Sequence, residues 1–262
     1  MPLKYHQGAF DVIAVTPEFD PAAEERLSHI ERERDFQFPA SMREWYSQRG
    51  AVELLDQKGY CIESVSLENL GRTWVDYLSI PRREVDPIAE GHLTFLHEVQ
   101  GGTSWTVRLD GSDDPPVFVE NDFPKNVRSE ACSRFSTFTY CHLWDFRIAL
   151  GREAYVVVEP FDNSLQTIIE LARPFAELPR THFCLPSTEH RFQMEDHALL
   201  IQINDDDGYM TVTLAANDFG SLSKLLTRFR NCIDWVVGGS KEGADVFELL
   251  KKTLSNSPPA DT

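Results

Sequence analysis

Residues 36–55 read FQFPASMREWYSQRGAVELL and predict a short helix with a marked start and end. Pro39 suits the first helical turn, where its missing N–H has no intrahelical partner to lose. Ser41 and Glu44 have capping-box spacing and offer a second possible start. Helical spacing then gives one apolar face, formed by Met42, Trp45 and Tyr46. Gly50 ends the helix, because glycine accepts a positive φ, and the letters AVELL after it predict a strand.

Signals on both sides of this stretch predict further helices and strands up to about residue 150. Asp20 and Pro21 have the residue types of an N-cap and a first helical position, so a helix should begin there. Residues 9–16 alternate weakly and predict a first strand or a packed arm. A hairpin is predicted over 51–67 with its turn at Lys58 and Gly59, followed by strands at 93–97, 103–109 and 116–120 and a helix over 130–148.

Gly151 marks the predicted boundary between a domain of residues 1–150 and a second α+β region of residues 151–256, which a disordered tail, 257–262, follows. The second region should contain a strand over 154–160, a helix capped by Asp162 or Asn163, and a hairpin of strands 198–203 and 209–215. A helix capped by Asn217 or Ser221 is expected to continue to Ile233 and to end at Gly238-Gly239, with a last helix over 245–254. Strands and helices do not alternate regularly, so the predicted class is α+β with a largely antiparallel sheet.

The chain is strongly acidic, with 42 Asp and Glu against 25 Lys and Arg and a formal net charge of −17. Such a surface repels nucleic-acid phosphates and anionic membranes and attracts basic proteins, so neither nucleic acid nor membrane is an expected partner. Acidity can also serve solubility alone. The N-terminus carries no signal-peptide pattern and no apolar run reaches the roughly 20 residues of a membrane span, so we expect a cytoplasmic protein.

Sequence motifs for catalysis are lacking, with no P-loop, GxGxxG, GxSxG or HExxH, so we expect no enzymatic activity and no cofactor. His182, Cys184 and His190 lie near one another but lack the tight pairing of zinc ligands, so we expect packed thiols and no metal. Asp205–Asp207 lie in a predicted hairpin turn and lack the ligand spacing of a calcium loop. A solvated turn is the simplest interpretation, and an acidic tip for a basic partner is the alternative.

In the order of its motifs, the chain resembles the SUKH superfamily over roughly residues 17–150. This superfamily, also called Smi/Knr type, joins bacterial toxin-immunity proteins to a yeast cell-wall-assembly regulator. Its pattern is an acidic helix, a Pro-started helix with a Trp-Tyr-like pair and then a Gly, as in residues 36–55. Further matching positions are Gln100, Gly101 and Trp105 after an apolar strand, the Pro115-Pro116-Val117 strand after an acidic turn, and Phe135, Phe138 and Trp144 in a closing helix.

This resemblance implies a non-catalytic protein that binds another protein, in particular an immunity protein that occludes the active site of a cognate polymorphic toxin. An acidic inhibitor can mimic a phosphate backbone on a basic toxin domain and be steered to it. The alternative is a regulatory scaffold or adaptor for signalling or cell-wall proteins, as the yeast relative implies. The predicted partner-binding residues lie on the acidic turn and around a tryptophan in an ambiguous segment: Trp74, Asp76, Asp110, Asp113 and Asp114.

Overall fold

The computed structural model describes residues 2–57, 59, 61–76, 83–99, 102–121, 127–182, 187–204, 208–241, 243 and 245–248. It describes no side chains for residues 74–76, 83, 121 and 127. The chain divides into a first unit, Met1–Trp144 with Thr181–Leu185, and a second unit, Asp145–Arg180 with Pro186–Thr262. The first unit ends before the boundary that we expect at Gly151. Independent folding of residues 1–150 stays a prediction, and the predicted tail 257–262 lies outside the described residues.

Both units combine helices with antiparallel sheets, which confirms the α+β class. The strands described in the first unit are β1 (Ile62–Ser64), β2 (Trp74–Asp76), β3 (Arg83–Val85), β4 (His92–Glu98), β5 (Thr103–Arg108), β6 (Val117–Asn121) and β7 (Val127–Cys132). The sheet has the strand order β1-β4-β5-β6-β7, and a separate pair is formed by β2 and β3. The strands predicted at 93–97, 103–109 and 116–120 are β4, β5 and β6.

The α-helices described in the first unit are α1 (Gln7–Val12), α2 (Pro21–Arg34), α3 (Ala40–Tyr46), α4 (Ala51–Leu54) and α5 (Phe135–Trp144). The predicted start of α2 is confirmed, because the Asp20 carboxylate accepts a hydrogen bond from the Ala22 amide at 3.0 Å and Pro21 is the first helical residue. Pro39, not Ser41, precedes α3. Trp45 of α3 is fully buried against His6 and Phe10, as its helical face predicts.

Four predictions for the first unit are wrong in detail. Residues 9–16 contribute to helix α1 and form no strand. The letters AVEL form α4 and Leu55 follows as its C-cap, because Ala51 and Leu55 are buried at the i, i+4 spacing of a helical face. Among the described residues of the hairpin predicted over 51–67, Ile62–Ser64 forms a strand, which pairs with β4. In the span predicted as a helix over 130–148, β7 extends to Cys132 and α5 begins at Phe135.

A π-helical turn, Asp145–Ala149, opens the second unit. The elements described after it are β8 (Ala154–Pro160), α6 (Leu165–Ala172), β9 (Ala176–Glu177), β10 (Ser187–Met194), β11 (His197–Asn204), β12 (Met210–Ala216), α7 (Phe219–Phe229) and β13 (Ile233–Gly239). The strands form a six-stranded antiparallel sheet with the order β13-β8-β12-β11-β10-β9. One face of this sheet packs against α6 and α7, around a core that includes Val156, Leu199, Leu214, Leu222 and Phe229.

The predicted strand 154–160 and the hairpin of β11 and β12 are confirmed. The helix that we expect to continue to Ile233 stops at Phe229, and residues 233–239 form β13. Gly238-Gly239 therefore ends a strand. Asp218 is the N-cap of α7, and Ser164 precedes α6. Strand β10 has no counterpart in the prediction, because four successive residues of it, 189–192, are all buried and hide the alternation of a half-exposed strand.

Candidate functional site

The acidic turn predicted as a binding rim links β5 to β6, and two of its carboxylates lie at the surface. Asp110 is exposed and accepts a hydrogen bond from the Ser112 amide at 3.0 Å, which closes the turn locally. The Asp113 side chain is 71% exposed, and its carboxylate lies 3.5 Å from the Lys4 ammonium and 3.1 Å from the Tyr5 hydroxyl that donates to it. Both carboxylates remain accessible to a partner, although the N-terminal segment already engages Asp113.

Asp114, the third carboxylate of this turn, supports the fold. It accepts hydrogen bonds from the Ser136 amide at 2.9 Å and from the Ser136 hydroxyl at 2.5 Å. The neighbouring Pro115 carbonyl accepts the Phe135 amide at 2.8 Å. These contacts satisfy amides in the first turn of α5 that have no intrahelical acceptor. The turn therefore serves as the N-terminal cap of α5, from a position 22 residues earlier in the chain.

Trp74 and Asp76, the other predicted partner-binding residues, lie on β2, where Trp74 pairs with Val85 and Asp76 with Arg83. For these two residues the structure describes the backbone alone, so their role in binding stays a prediction. Cys184 and the run Asp205–Asp207 lie outside the described residues.

An exposed tryptophan in the second unit provides a different candidate. Trp235 lies on β13, the strand at one end of the six-stranded sheet, and is 64% exposed. Val237 on the same strand is 51% exposed. Sequence reasoning missed Trp235, because the segment IDWVV was assigned to the end of a helix. Its β-branched and aromatic residues before Gly-Gly are the signal that indicates a strand.

Strand register places Trp235 directly opposite Glu159 of β8. Along β8 the burial alternates strictly, with Val156 and Val158 in the core and Glu159 among the half-buried residues of the other face. Residues opposite each other in an antiparallel pair share a face. Trp235 therefore lies on the face of the sheet away from α6 and α7, beside the Glu159 carboxylate.

Beside this strand pair, where β8 leads into α6, lies a groove of about 260 Å³. Its walls come from the end of β8, the loop 161–164 and the hairpin of β11 and β12. The groove lining includes Glu159, Phe161, Asp162, Ile203, Tyr209 and Met210, and its described lining has no Lys, Arg or His. Phe161 and Tyr209 are each 46% exposed. We call Trp235 and Val237, with Glu159 opposite Trp235, the β8–β13 surface.

Unlike many other acids of the protein, Glu159 and Asp162 make no side-chain hydrogen bond or salt bridge with the residues that the structure describes. By contrast, Asp113 and Asp114 contact the N-terminal segment and helix α5. Glu159 and Asp162 are therefore available to a cationic group from outside.

A second charged cluster, in the interior of the second unit, is structural. Arg191 of β10 donates to both carboxylate oxygens of Asp145, at 2.6 and 2.5 Å, and its guanidinium lies 3.5 Å from Glu189. Burial raises the pKa of Asp145, and the positive charge of Arg191 opposes that rise. The side chains of Arg191 and Asp145 are 1% and 7% exposed, so the cluster lies out of reach of a ligand.

Among the residues that the structure describes, no group of three or more His, Cys, Asp or Glu side chains is placed to hold a metal ion. The helices described include none with the length and apolarity to cross a membrane. No family model, curated protein or solved structure matches this chain.

Proposed function

We propose that this protein acts by binding another protein, without catalysis, as a cytoplasmic immunity protein that occludes the active site of a cognate toxin with a basic surface. The observation that carries the binding role is the β8–β13 surface, where Trp235 and Val237 project from an end strand of the sheet. The immunity role rests on the motifs of residues 36–55 and 93–144 and their resemblance to the SUKH superfamily.

Exposed apolar residues of this size support a protein partner. Single exposed hydrophobic side chains are common, but grouped ones mark interaction sites. Here Trp235 and Val237 lie two residues apart on the same end strand, and both side chains are more than half exposed. Tryptophan and tyrosine are enriched among the residues that dominate binding energy, because they bury a large area with little loss of conformational freedom.

Charge supports a basic partner rather than a second copy of this chain. Two copies would each carry a formal net charge of −17 and would repel each other as they approached. A basic protein would instead be steered to the surface, with an association rate that falls as salt screens the attraction over about 8 Å at physiological ionic strength. On the first unit, the exposed Asp110 and Asp113, with Trp74 and Asp76, form a separate proposed contact for a basic partner.

The proposal is tested with the full chain and the product of the adjacent gene, which an immunity protein is expected to neutralise. Trp235→Ser combined with Val237→Ser should weaken binding about tenfold or more, the effect of losing a central aromatic contact. Phe19→Ser is the matched control, because Phe19 is 54% exposed in the first unit. Equal binding by both variants would show that β13 takes no part. Failure of the chain to protect cells from that product would contradict the immunity role.

A further inference from the structure

Residues 3–6 lie across helix α3 and are held there by a carboxylate. The Glu44 carboxylate of α3 accepts hydrogen bonds from three successive backbone amides of this segment. The donors are Lys4 at 2.7 Å, Tyr5 at 2.8 Å and His6 at 2.9 Å. We call residues 3–6 the N-terminal strap, and Glu44 is its main backbone anchor.

The His6 side chain inserts from the strap into the core of the first unit. It is fully buried, and its ring centroid lies 5.0 Å from that of Trp45 and 5.5 Å from that of Phe135. Its Nε2 lies 2.9 Å from the Ser41 carbonyl oxygen. Because a carbonyl only accepts, Nε2 carries the proton of the neutral ring and Nδ1 is unprotonated. Nδ1 has no hydrogen-bond partner among the described residues, so the site fits the neutral imidazole and provides no acceptor for a second N–H.

We infer that the N-terminal strap is a pH-sensitive switch, which opens when His6 takes up a second proton, independently of any partner. A cation that stays buried among aromatic rings, with one N–H unpaired, is unfavourable, whereas the same cation in water is hydrated. Acid therefore favours the open strap. Opening also separates Lys4 and Tyr5 from Asp113, the exposed carboxylate that both of them contact when the strap is closed.

The charged groups that face His6 weaken this effect without reversing it. Burial lowers the pKa of His6 below its ordinary value of 6.5. The hydrogen bond to the Ser41 carbonyl and the negative charges of Glu44 and Asp114 oppose that fall in pKa and are outweighed. Helix α5 places the uncharged Phe135 ring against His6. An open strap returns the imidazole to water and to its ordinary pKa, so opening is coupled to proton uptake as the pH falls below about 6.5.

Hydrogen exchange of the ¹⁵N-labelled full chain at about pH 7.5 and about pH 5.5, corrected for intrinsic exchange rates, tests the switch. With an open-state pKa near 6.5, the open population rises about tenfold between these two values. The protection of the Tyr5 and His6 amides should therefore fall about tenfold. Because the opening is local, these amides should also be less protected than the amides of α5 at both pH values.

His6→Gln is the matched variant, since glutamine is neutral at both pH values and keeps an N–H donor for the Ser41 carbonyl. Its strap amides should show no pH dependence. Unchanged protection in the natural sequence, or the same tenfold fall in His6→Gln, would overturn the inference. Equal protection of the strap and of α5 would also overturn it, because the strap would then open only when the whole unit unfolds.

Glu44→Ala tests the coupling by a second measurement, the pKa of His6 from the NMR titration of its imidazole Cε1 proton. Loss of the anchor should open the strap and raise the pKa of His6 toward 6.5. In a strap that stayed closed, loss of the nearby negative charge would lower this pKa instead. A lower pKa in Glu44→Ala would therefore contradict the coupling between the strap and His6.

Discussion

Asp145→Asn should destabilise the second unit strongly, although the substitution changes one atom of the side chain. The carboxylate of Asp145 accepts two hydrogen bonds from Arg191, at 2.6 and 2.5 Å, and both side chains are almost completely buried. The asparagine amide has a single acceptor oxygen, so its NH₂ group must face one of the guanidinium donors. The variant therefore loses one hydrogen bond and leaves a buried positive charge poorly compensated.

The magnitude follows from what remains around the guanidinium. Removing one partner of a buried ion pair costs about 3–5 kcal/mol of the free energy of unfolding. Arg191 keeps Glu189 at 3.5 Å and the Pro179 carbonyl at 3.3 Å, so part of the compensation survives. We therefore expect a loss near the lower end, about 3 kcal/mol.

Urea unfolding of the full chain at pH 7, followed by circular dichroism, measures this loss, and hydrogen exchange of the β10 and β11 amides assigns it to the second unit. Hydrogen exchange is needed because two units need not unfold in one transition. Asp162→Asn is the matched control, since this exposed carboxylate has no partner within the described residues, and it should cost less than about 0.5 kcal/mol. A loss below about 1 kcal/mol for Asp145→Asn, with an unchanged urea dependence, would refute the reasoning.

Three further predictions concern residues whose environments differ sharply. Trp45→Ala should lower the free energy of unfolding, measured in urea, by about 3–5 kcal/mol because the ring is fully buried. Trp235→Ala should lower it by less than about 0.5 kcal/mol. Similar losses in the two variants would contradict the burial of Trp45 and the exposure of Trp235. Asp114→Ala should cost about 1 kcal/mol through the lost cap of α5 and Asp113→Ala much less, as melting temperatures would show. Burial lowers the pKa of His6, so the unfolded chain takes up a proton near pH 6.5 while the folded chain does not. The free energy of unfolding should therefore fall as the pH drops below about 6.5, and it should fall less steeply in His6→Gln. If the pH dependence is the same in His6→Gln, other groups cause the fall.

The elements that sequence predicted correctly carry their signals within a few residues. Asp20 and Pro21 fix the start of α2, since the cap bond spans only two residues. Strands β4, β5 and β6 and the hairpin of β11 and β12 follow from alternating apolar residues between turns. Trp45 is buried as its place on an apolar helical face predicts. In each case the interaction that decides the structure is local.

The errors arise where short apolar runs fit either period. The start of AVELL forms α4 because Ala51 and Leu55 lie on one helical face and are buried. Residues 233–239 form a strand because they pair with β8. Strand β10 was not predicted, because charged residues are expected at a surface. Here Arg191 and Glu189 lie buried with Asp145. Propensity alone cannot choose between such outcomes, since tertiary contacts outweigh it.

Composition and short-range spacing encode the α+β class, the acidic charge and most of the helices and strands, so these could be predicted. Which side chains are accessible depends on the packing of distant segments. In the tertiary structure Asp114 caps a helix 22 residues away and the exposed Trp235 lies opposite Glu159. The fold also brings residues 159–163 and 165 together with residues 203 and 208–210 around one groove. Exposure and proximity depend on which distant segments pair, and strand register sets that pairing across the whole unit.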